Sequence, residues 1–246
     1  MIYSYRRDIG PDKKCVEIYE GRPVSFITRR TEELLADICG RVLFVPTTTR
    51  TVEQYNRIQL GTGTPPYALV CNGGVLLVDG QESGEWYEDS LRLVEGCQKE
   101  LSLAEEMLGA DEDVNFEVRN IRRLFLFTKS GRPQETVKRL SAGLDRSLVD
   151  VMQNGVKVYV VPKPMNKGLA VRRLRERLGA SRVIAAGDSE FDIPMLQCAD
   201  VPIAPDGLRA AAGLPERALV MEKRGIFAEF VLEHVREWMD EGQNEN

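Results

Sequence analysis

Val183-Ile-Ala-Ala-Gly-Asp-Ser-Glu-Phe-Asp-Ile-Pro-Met-Leu196 is the stretch on which the reading of the fold turns. Val183 to Ala186 is an apolar run without polar alternation, the pattern of a strand buried on both faces. Gly187-Asp188 reads as a sharp turn, and a helix begins near the second acid, Asp192. Ligands of open α/β sheets bind at the C-terminal ends of strands, so the Asp188 carboxylate is expected at a crevice. Asp192 follows one turn later, where it can brace Asp188 or share a cation with it. The plainer alternative is that Asp188 and Ser189 only cap a helix.

Working outward, Lys167 stands in Pro162-Lys-Pro-Met-Asn-Lys167-Gly, at the start of a helix that Gly179 closes. The positive end of a helix dipole favours anions, and a lysine there neutralises phosphate charge. A solvated lysine explains the same position in isolation. Further upstream, Val42-Leu-Phe-Val45 reads as another buried strand, stopping at Pro46 and leading into Thr47-Thr48-Thr49-Arg50. A hydroxyl with nearby backbone N–H groups can cradle a phosphoryl oxygen, although threonines also cap helices. Tyr67 to Cys71 is a third buried run, ending in Asn72-Gly73-Gly74, with Val75 to Val78 as a return strand. Cys15 to Tyr19 and Pro23 to Thr28 form a hairpin around Gly21.

The middle of the chain has a different pattern. A helix over 91–108, strands at 116–118 and 124–127, a helix over 133–140 and a hairpin about Asn154-Gly155 make an α+β unit. The expected organisation is therefore an α/β, doubly wound parallel core interrupted by an inserted α+β domain. The expected boundaries are 1–83 and 161–240 for the core, 84–160 for the insertion and 241–246 for a polar tail.

Bulk properties narrow the function. Hydrophobic residues are 43% and charged residues 29% of 246, ordinary for a globular protein. The formal net charge of −5, with basic residues spread out, argues against a nucleic-acid partner. No apolar run is long enough to span a membrane, and the N-terminus carries no signal-like apolar segment. The five cysteines form no CxxC pair and read as reduced thiols, which fits a cytoplasmic setting. His234 is the only histidine, which excludes Ser-His-Asp and Cys-His catalysis and multi-histidine metal sites. A metal here would be a hard ion held by oxygen ligands.

Taken in order, these motifs resemble the haloacid dehalogenase (HAD) superfamily, in particular its Cof-type and sucrose-phosphatase-like phosphatases with an α+β cap. Phe44-Val-Pro-Thr-Thr-Thr-Arg50 matches the second motif, Cys71-Asn-Gly-Gly74 the segment before the cap, Lys167 the third-motif lysine and Gly187-Asp188-Ser-Glu-Phe-Asp192 the fourth motif. The resemblance implies a HAD-like Rossmannoid core and a Mg2+-dependent phosphomonoester hydrolase acting on a small phosphorylated metabolite such as a sugar phosphate. It also implies that Thr48, Thr49, Asn72 and Lys167 hold phosphate, with Thr48 and Lys167 counted as catalytic, and that Asp188 and Asp192 serve the metal.

Two departures stand out. Phe191 occupies the place where many relatives carry asparagine. More seriously, the first motif, a buried strand followed by DxDx(T/V), has no counterpart: Asp8 and Asp12 form no DxD pair, and Asp111-Glu-Asp113 lies in a polar turn of the inserted region. In the family pattern the first of those aspartates is the nucleophile and the second the general acid/base. The expectation is that the natural protein begins upstream of Met1, that the central strand is missing here, and that this chain alone is inactive. The competing readings are a catalytically dead binding protein and a phosphomannomutase-like phosphotransferase. Arg119, Arg122, Arg123, Lys129 and Arg132 make the inserted region locally basic, suited either to a second anionic group of the substrate or simply to solvent.

Overall fold

A computed structural model describes residues 1–222 and 224–244, with side chains given as far as Asp240. The strands are β1 (Tyr3–Ser4), β2 (Lys13–Tyr19), β3 (Arg22–Thr28), β4 (Tyr67–Val70), β5 (Val75–Val78), β6 (Gln81–Glu82), β7 (Arg119–Ile121), β8 (Phe125–Lys129), β9 (Val149–Asn154), β10 (Lys157–Pro162), β11 (Ile184–Ala186), β12 (Val201–Pro205) and β13 (Leu219–Met221). The helices are α1 (Arg29–Cys39), α2 (Val52–Tyr55), α3 (Gly84–Val94), α4 (Gln98–Gly109), α5 (Pro133–Gly143), α6 (Lys167–Leu178), α7 (Ile193–Cys198) and α8 (Phe227–Asn244).

The core is α/β. β11, β12 and β13 form a parallel sheet with β12 in the middle. α1 and α8 pack over one side of it, with Leu34, Leu35 and Ile38 against Phe227, Val231, Leu232 and Val235 in a cluster that includes Ile203. α6 and α7 sit against each other so closely that a Cβ on Gly168 would meet the Pro194 carbonyl oxygen at 2.2 Å. Only glycine permits that approach. β4, β5 and β6 form a separate antiparallel sheet, and β1, β3 and β2 make the flap hairpin with one added strand.

The inserted region has its own four-stranded antiparallel sheet, ordered β7-β8-β10-β9. Period-two alternation gives it two faces. Leu126, Val151, Val158 and Val160 pack with Leu101, Leu108 and Leu140 of α4 and α5. Phe125, Phe127, Met152, Tyr159 and Val161 point the other way, into a cluster with Val52, Cys71, Met165 and Phe191 of the core. The α+β unit is thus joined to the core through one continuous apolar surface.

The structure corrects several expectations. Val42–Val45 is not a strand: Val42 and Leu43 are 38% and 48% exposed. Its parallel pairing with β4 shrinks to one bridge, Thr47 with Leu69, in which Leu69 N–H donates to Pro46 O and Thr48 N–H to Leu69 O, each at 2.8 Å. The runs 42–45, 67–70 and 184–186 therefore do not form one sheet. The physical reason is the lack of a partner: a strand persists only where a neighbour takes up its N–H and C=O groups. Phe44, the Ile184 and Ala186 side chains of β11 and Met1 pack in one apolar cluster. The helix expected over 91–108 is two helices broken at Glu95–Cys97, and the strand expected at 116–118 is β7, three residues later. The polar tail expected from 241 is helical backbone to Asn244; 245 and 246 lie outside the described residues.

Candidate functional site

Lys167 is the first residue of α6, and Asn166 caps that helix by accepting a hydrogen bond from Leu169 N–H at 2.9 Å. Lys167 is 6% exposed, and its Nζ donates to Asp192 Oδ1 at 2.5 Å. The other oxygen of Asp192 accepts from Asp188 N–H at 3.0 Å, Ser189 N–H at 3.1 Å and Ser189 Oγ–H at 2.9 Å. Burial alone would raise the Asp192 pKa, but the Lys167 charge and these donors outweigh it and hold the carboxyl below its ordinary range. Gly187 makes the arrangement possible, because a Cβ there would meet the Asp192 Cβ at 2.2 Å.

This geometry separates the two acids that the sequence grouped as metal-serving. Asp192 is buried with both oxygens engaged, so it works as a brace that fixes Lys167 and the 188–189 backbone. Asp188, at the end of β11, is exposed and makes no side-chain hydrogen bond or ion pair among the described residues. It is the open carboxylate of the pair. The Met1 ammonium belongs to the same neighbourhood: burial lowers its pKa, while Asp188 and then Asp192 act to raise it.

The threonine loop reaches this place through Asn72. Asn72 N–H donates to Thr48 O at 2.9 Å, and its side-chain NH2 donates to Met165 O at 2.8 Å, two residues before Lys167. Asn72 was expected to hold phosphate. One of its two amide N–H groups is engaged by Met165 O, and its Oδ1 is a buried acceptor without a partner among the described residues. Reversing the amide would set oxygen against the Met165 carbonyl. Asn72 links the threonine loop to the α6 turn, with left-handed backbone at φ 59°. Thr48 Oγ1 accepts from Arg50 N–H at 3.2 Å, which leaves its hydroxyl proton free for an anion. Thr49 makes no side-chain hydrogen bond among the described residues.

The flap hairpin fixes the end of the same loop. Glu17, only 3% exposed, accepts from Ser25 Oγ at 2.6 Å, from Arg50 Nη1 at 2.9 Å and from Arg57 at 3.2 Å. Burial pushes its pKa up, but these donors outweigh it and the net direction is down. Phe191 packs edge-to-face on Tyr159 of β10 at 4.9 Å. The position that carries asparagine in many relatives thus serves apolar contact with the inserted sheet.

The donor set for magnesium is short. Among the described residues no group of three or more His, Cys, Asp or Glu side chains is placed to hold an ion. With both oxygens of Asp192 engaged, Asp188 is the one open carboxylate of this site among the described residues, whereas magnesium is usually held by one or two carboxylates together with phosphate oxygens and water. These residues do not make a magnesium site by themselves.

Among the basic residues of the inserted region, Arg119, Arg122 and Arg132 are occupied by Glu117, Glu82 and Asp113. Lys129 and Arg123 make no ion pair among the described residues, and the register partner of Lys129 on β10 is Lys157. The sequence reading missed Lys157, although the alternation Lys157-Val-Tyr159 after the Gly155 turn carried the signal. No described helix is long and apolar enough to cross a membrane.

Comparison with known proteins agrees with the architecture. The chain shares 30% identity over 137 residues with the phosphoglycolate phosphatase of Methanopyrus kandleri, covering 54% of this chain and 56% of that protein. A second phosphoglycolate phosphatase, from Methanothrix thermoacetophila, is 38% identical over 58 residues, 23% of this chain and 26% of that protein. The chain thus spans about half or less of the length of these relatives. The sucrose-phosphatase of Synechocystis has a similar fold, with a TM-score of 0.65 at 17% identity over 85% of this chain and 89% of that one. Thermoplasma acidophilum 0175 gives 0.58 at 14% identity over 92% and 94%. The pattern of the haloacid dehalogenase-like hydrolases matches residues 76–206, more than half of the 246, which spans the inserted sheet, Lys167 and Asp188. This chain belongs to the haloacid dehalogenase-like hydrolase family.

Proposed function

We propose that this chain is the phosphate-binding part of a phosphomonoester hydrolase for a small phosphorylated metabolite. The observation that carries the reading is the linked set Thr48–Asn72–Met165–Lys167–Asp192–Asp188, which ties a threonine loop, a helix N-terminus and a strand end into one bonded chain. Thr48 offers a hydroxyl proton, and Lys167 a positive charge held at the start of α6 where the helix dipole already favours an anion. Both suit the equatorial oxygens of a phosphoryl group, whose charge shifts during transfer. Asp188 is the carboxylate left open for a cation, and Asp192 positions Lys167. The names of the relatives, phosphoglycolate phosphatase and sucrose-phosphatase, support a phosphorylated metabolite as substrate.

The nucleophile is not among these residues. In the family pattern an aspartate attacks phosphorus and a second one protonates the leaving alcohol; this sequence contains no such pair. The chain alone is therefore expected to bind phosphate without turning over.

The test is a paired assay of aryl phosphate hydrolysis at saturating magnesium. The 246-residue chain should show no turnover. A chain extended at its N-terminus by an apolar strand ending in DxDxT should hydrolyse the substrate, and Asp188→Asn in that extended chain should remove most of the activity. Turnover by the short chain that Asp188→Asn abolishes would mean that the nucleophile lies elsewhere. An extended chain that binds inorganic phosphate but stays inactive would favour the binding-protein reading.

A further inference from the structure

The hairpin β2–β3 breaks its own alternation at one place. A regular strand sends successive side chains to opposite faces, so burying Val16 should turn Glu17 outward. Instead Val16 and Glu17 are both buried, and Ile18 and Tyr19 are both exposed. The register gives the cause. Cys15 faces Phe26, Glu17 faces Ser25 and Ile18 faces Pro23. Val16 is therefore an extra residue on β2 and Val24 an extra residue on β3, with a bulge on either side of the Glu17–Ser25 pair. Bulges re-aim side chains and are over-represented beside functional sites.

The re-aimed side chain is a carboxylate. Taking a charge out of water is costly, and buried ion pairs and triads add little net stability because desolvation offsets the attraction. Hairpin stability therefore does not account for Glu17. The account lies in its two arginine partners. Arg57 belongs to the outside of the hairpin: its guanidinium also lies 4.7 Å from the centre of the Tyr19 ring, and nearby Gln59 N–H donates to Val16 O at 2.8 Å. Arg50 belongs to the threonine loop and is gripped by backbone and side chain together. Its N–H donates to Thr48 Oγ1 at 3.2 Å, its C=O accepts from Cys71 N–H at 2.7 Å, and its Nη1 donates to Glu17 Oε1 at 2.9 Å. Ser25 Oγ, which donates to Glu17 Oε2 at 2.6 Å, also accepts from Arg50 Nη2 at 3.4 Å. A bonded line thus runs from Ser25 through Glu17 and Arg50 to the oxygen of Thr48. With Arg50 N–H engaging that oxygen from one side, the hydroxyl proton turns to the other.

We propose that Glu17 is a positioning residue for the phosphate end of the site, acting through Arg50 to fix the Thr48 hydroxyl. In this role the hairpin acts on the loop and not on the ligand. It holds the threonine loop in the shape that leaves the Thr48 proton free to be donated. The role rests on the phosphate-site reading above. It has a sign that charge alone does not share. Glu17→Gln removes a negative charge near an anion site, and the field effect by itself tightens anion binding. Loss of positioning weakens it.

The test is calorimetric titration of the full chain with inorganic phosphate at physiological salt, with melting temperatures measured alongside. Glu17→Gln should bind phosphate roughly tenfold more weakly, the size of one lost hydrogen bond. In a Thr48→Val background, where Lys167 still attracts phosphate, the same substitution should change binding by less than about twofold, since the residue it acts through is gone. Arg57→Met loosens the hairpin but leaves Glu17 on Arg50. It should lower the melting temperature and keep phosphate binding within about twofold, its own charge being screened by salt. Exchange protection of the Arg50 amide should fall in Glu17→Gln and not in Arg57→Met. If Glu17→Gln does not fold, Ser25→Ala keeps both charges and removes one donor to the carboxylate; it should weaken binding about threefold. Equal or tighter phosphate binding by folded Glu17→Gln, an undiminished effect in the Thr48→Val background, or weakening by Arg57→Met in step with lost stability would each overturn the role while the phosphate site stands. If the unaltered chain binds no phosphate, the phosphate-site reading itself fails and the positioning role with it.

Discussion

In the inserted sheet, Lys157 to Pro162 of β10 pair with Val149 to Asn154 of β9 on one side, and Lys157 to Val160 pair with β8 on the other. In the core, the apolar run 42–45 has no strand partner among the described residues, and backbone pairing with β4 is limited to the bridge at Thr47. Both regions are built from similar runs of β-branched and aromatic residues. The difference is in where the partners come from. The inserted strands find theirs within some 40 residues along the chain, across turns such as that at Gly155. The core runs depend on strands far away in sequence, and Phe44 meets Ile184 and Ala186 only as members of a shared apolar cluster, with no ladder between the two segments among the described residues. Intrinsic propensity makes a segment able to be a strand; a partner makes it one.

The largest contrast should appear in amide exchange. The amides of Leu43, Phe44 and Val45 donate to no acceptor among the described residues, whereas Val158 and Val160 sit inside a sheet and a buried cluster. Protection at Val158 and Val160 should exceed that at Leu43 by about a thousandfold or more, since opening there requires near-global unfolding. Comparable protection in the two places, measured by native-state hydrogen exchange, would show that 42–45 is paired after all. The same measurement on the chain extended by an apolar strand sharpens the comparison: added protection at 43–45 would show that a neighbouring strand can pair that run.

Next in size is the ion pair that holds the core site. Asp192→Ala leaves the Lys167 ammonium buried without its counter-charge, which should cost about 3–5 kcal/mol. Denaturant titration should show that loss, with the inserted sheet keeping more of its protection than α6 and α7. A change under 1 kcal/mol would mean that Lys167 swings out to solvent. Acid should act in the same direction. Asp192 and Glu17 both have depressed folded pKa values, so their contribution is fully present above the ordinary carboxylate range and is lost as pH falls through the lower folded values. The midpoint of urea unfolding should therefore be flat near neutrality and fall steeply below about pH 4. In Asp192→Ala the acid slope should be shallower.

The smallest effect has the opposite sign. Lys157→Met removes one of two like charges facing each other across β8 and β10 and should stabilise the chain by about 0.2–1 kcal/mol, less at high salt. Destabilisation would indicate a carboxylate partner for Lys157.

By itself the sequence determined the class of the fold and the order of its site motifs. The buried run ending at Gly187-Asp188, the lysine at a helix start and the threonine loop each carry their chemistry in a few adjacent residues, where local sterics and hydrogen bonding dominate. The hairpins at Gly21 and Gly155 were legible for the same reason. Only the tertiary structure decided what those residues do once assembled. It turned Asp192 from a possible ligand into a saturated brace, because four donors from three different residues converge on it. It made Asn72 a tie, because its amide meets the Met165 carbonyl 93 residues away. It set Lys157 beside Lys129, because strand register is fixed by packing two sheet faces at once. It also denied 42–45 a strand, since a backbone ladder requires a second chain segment in the right place, and a single segment carries no record of its partner.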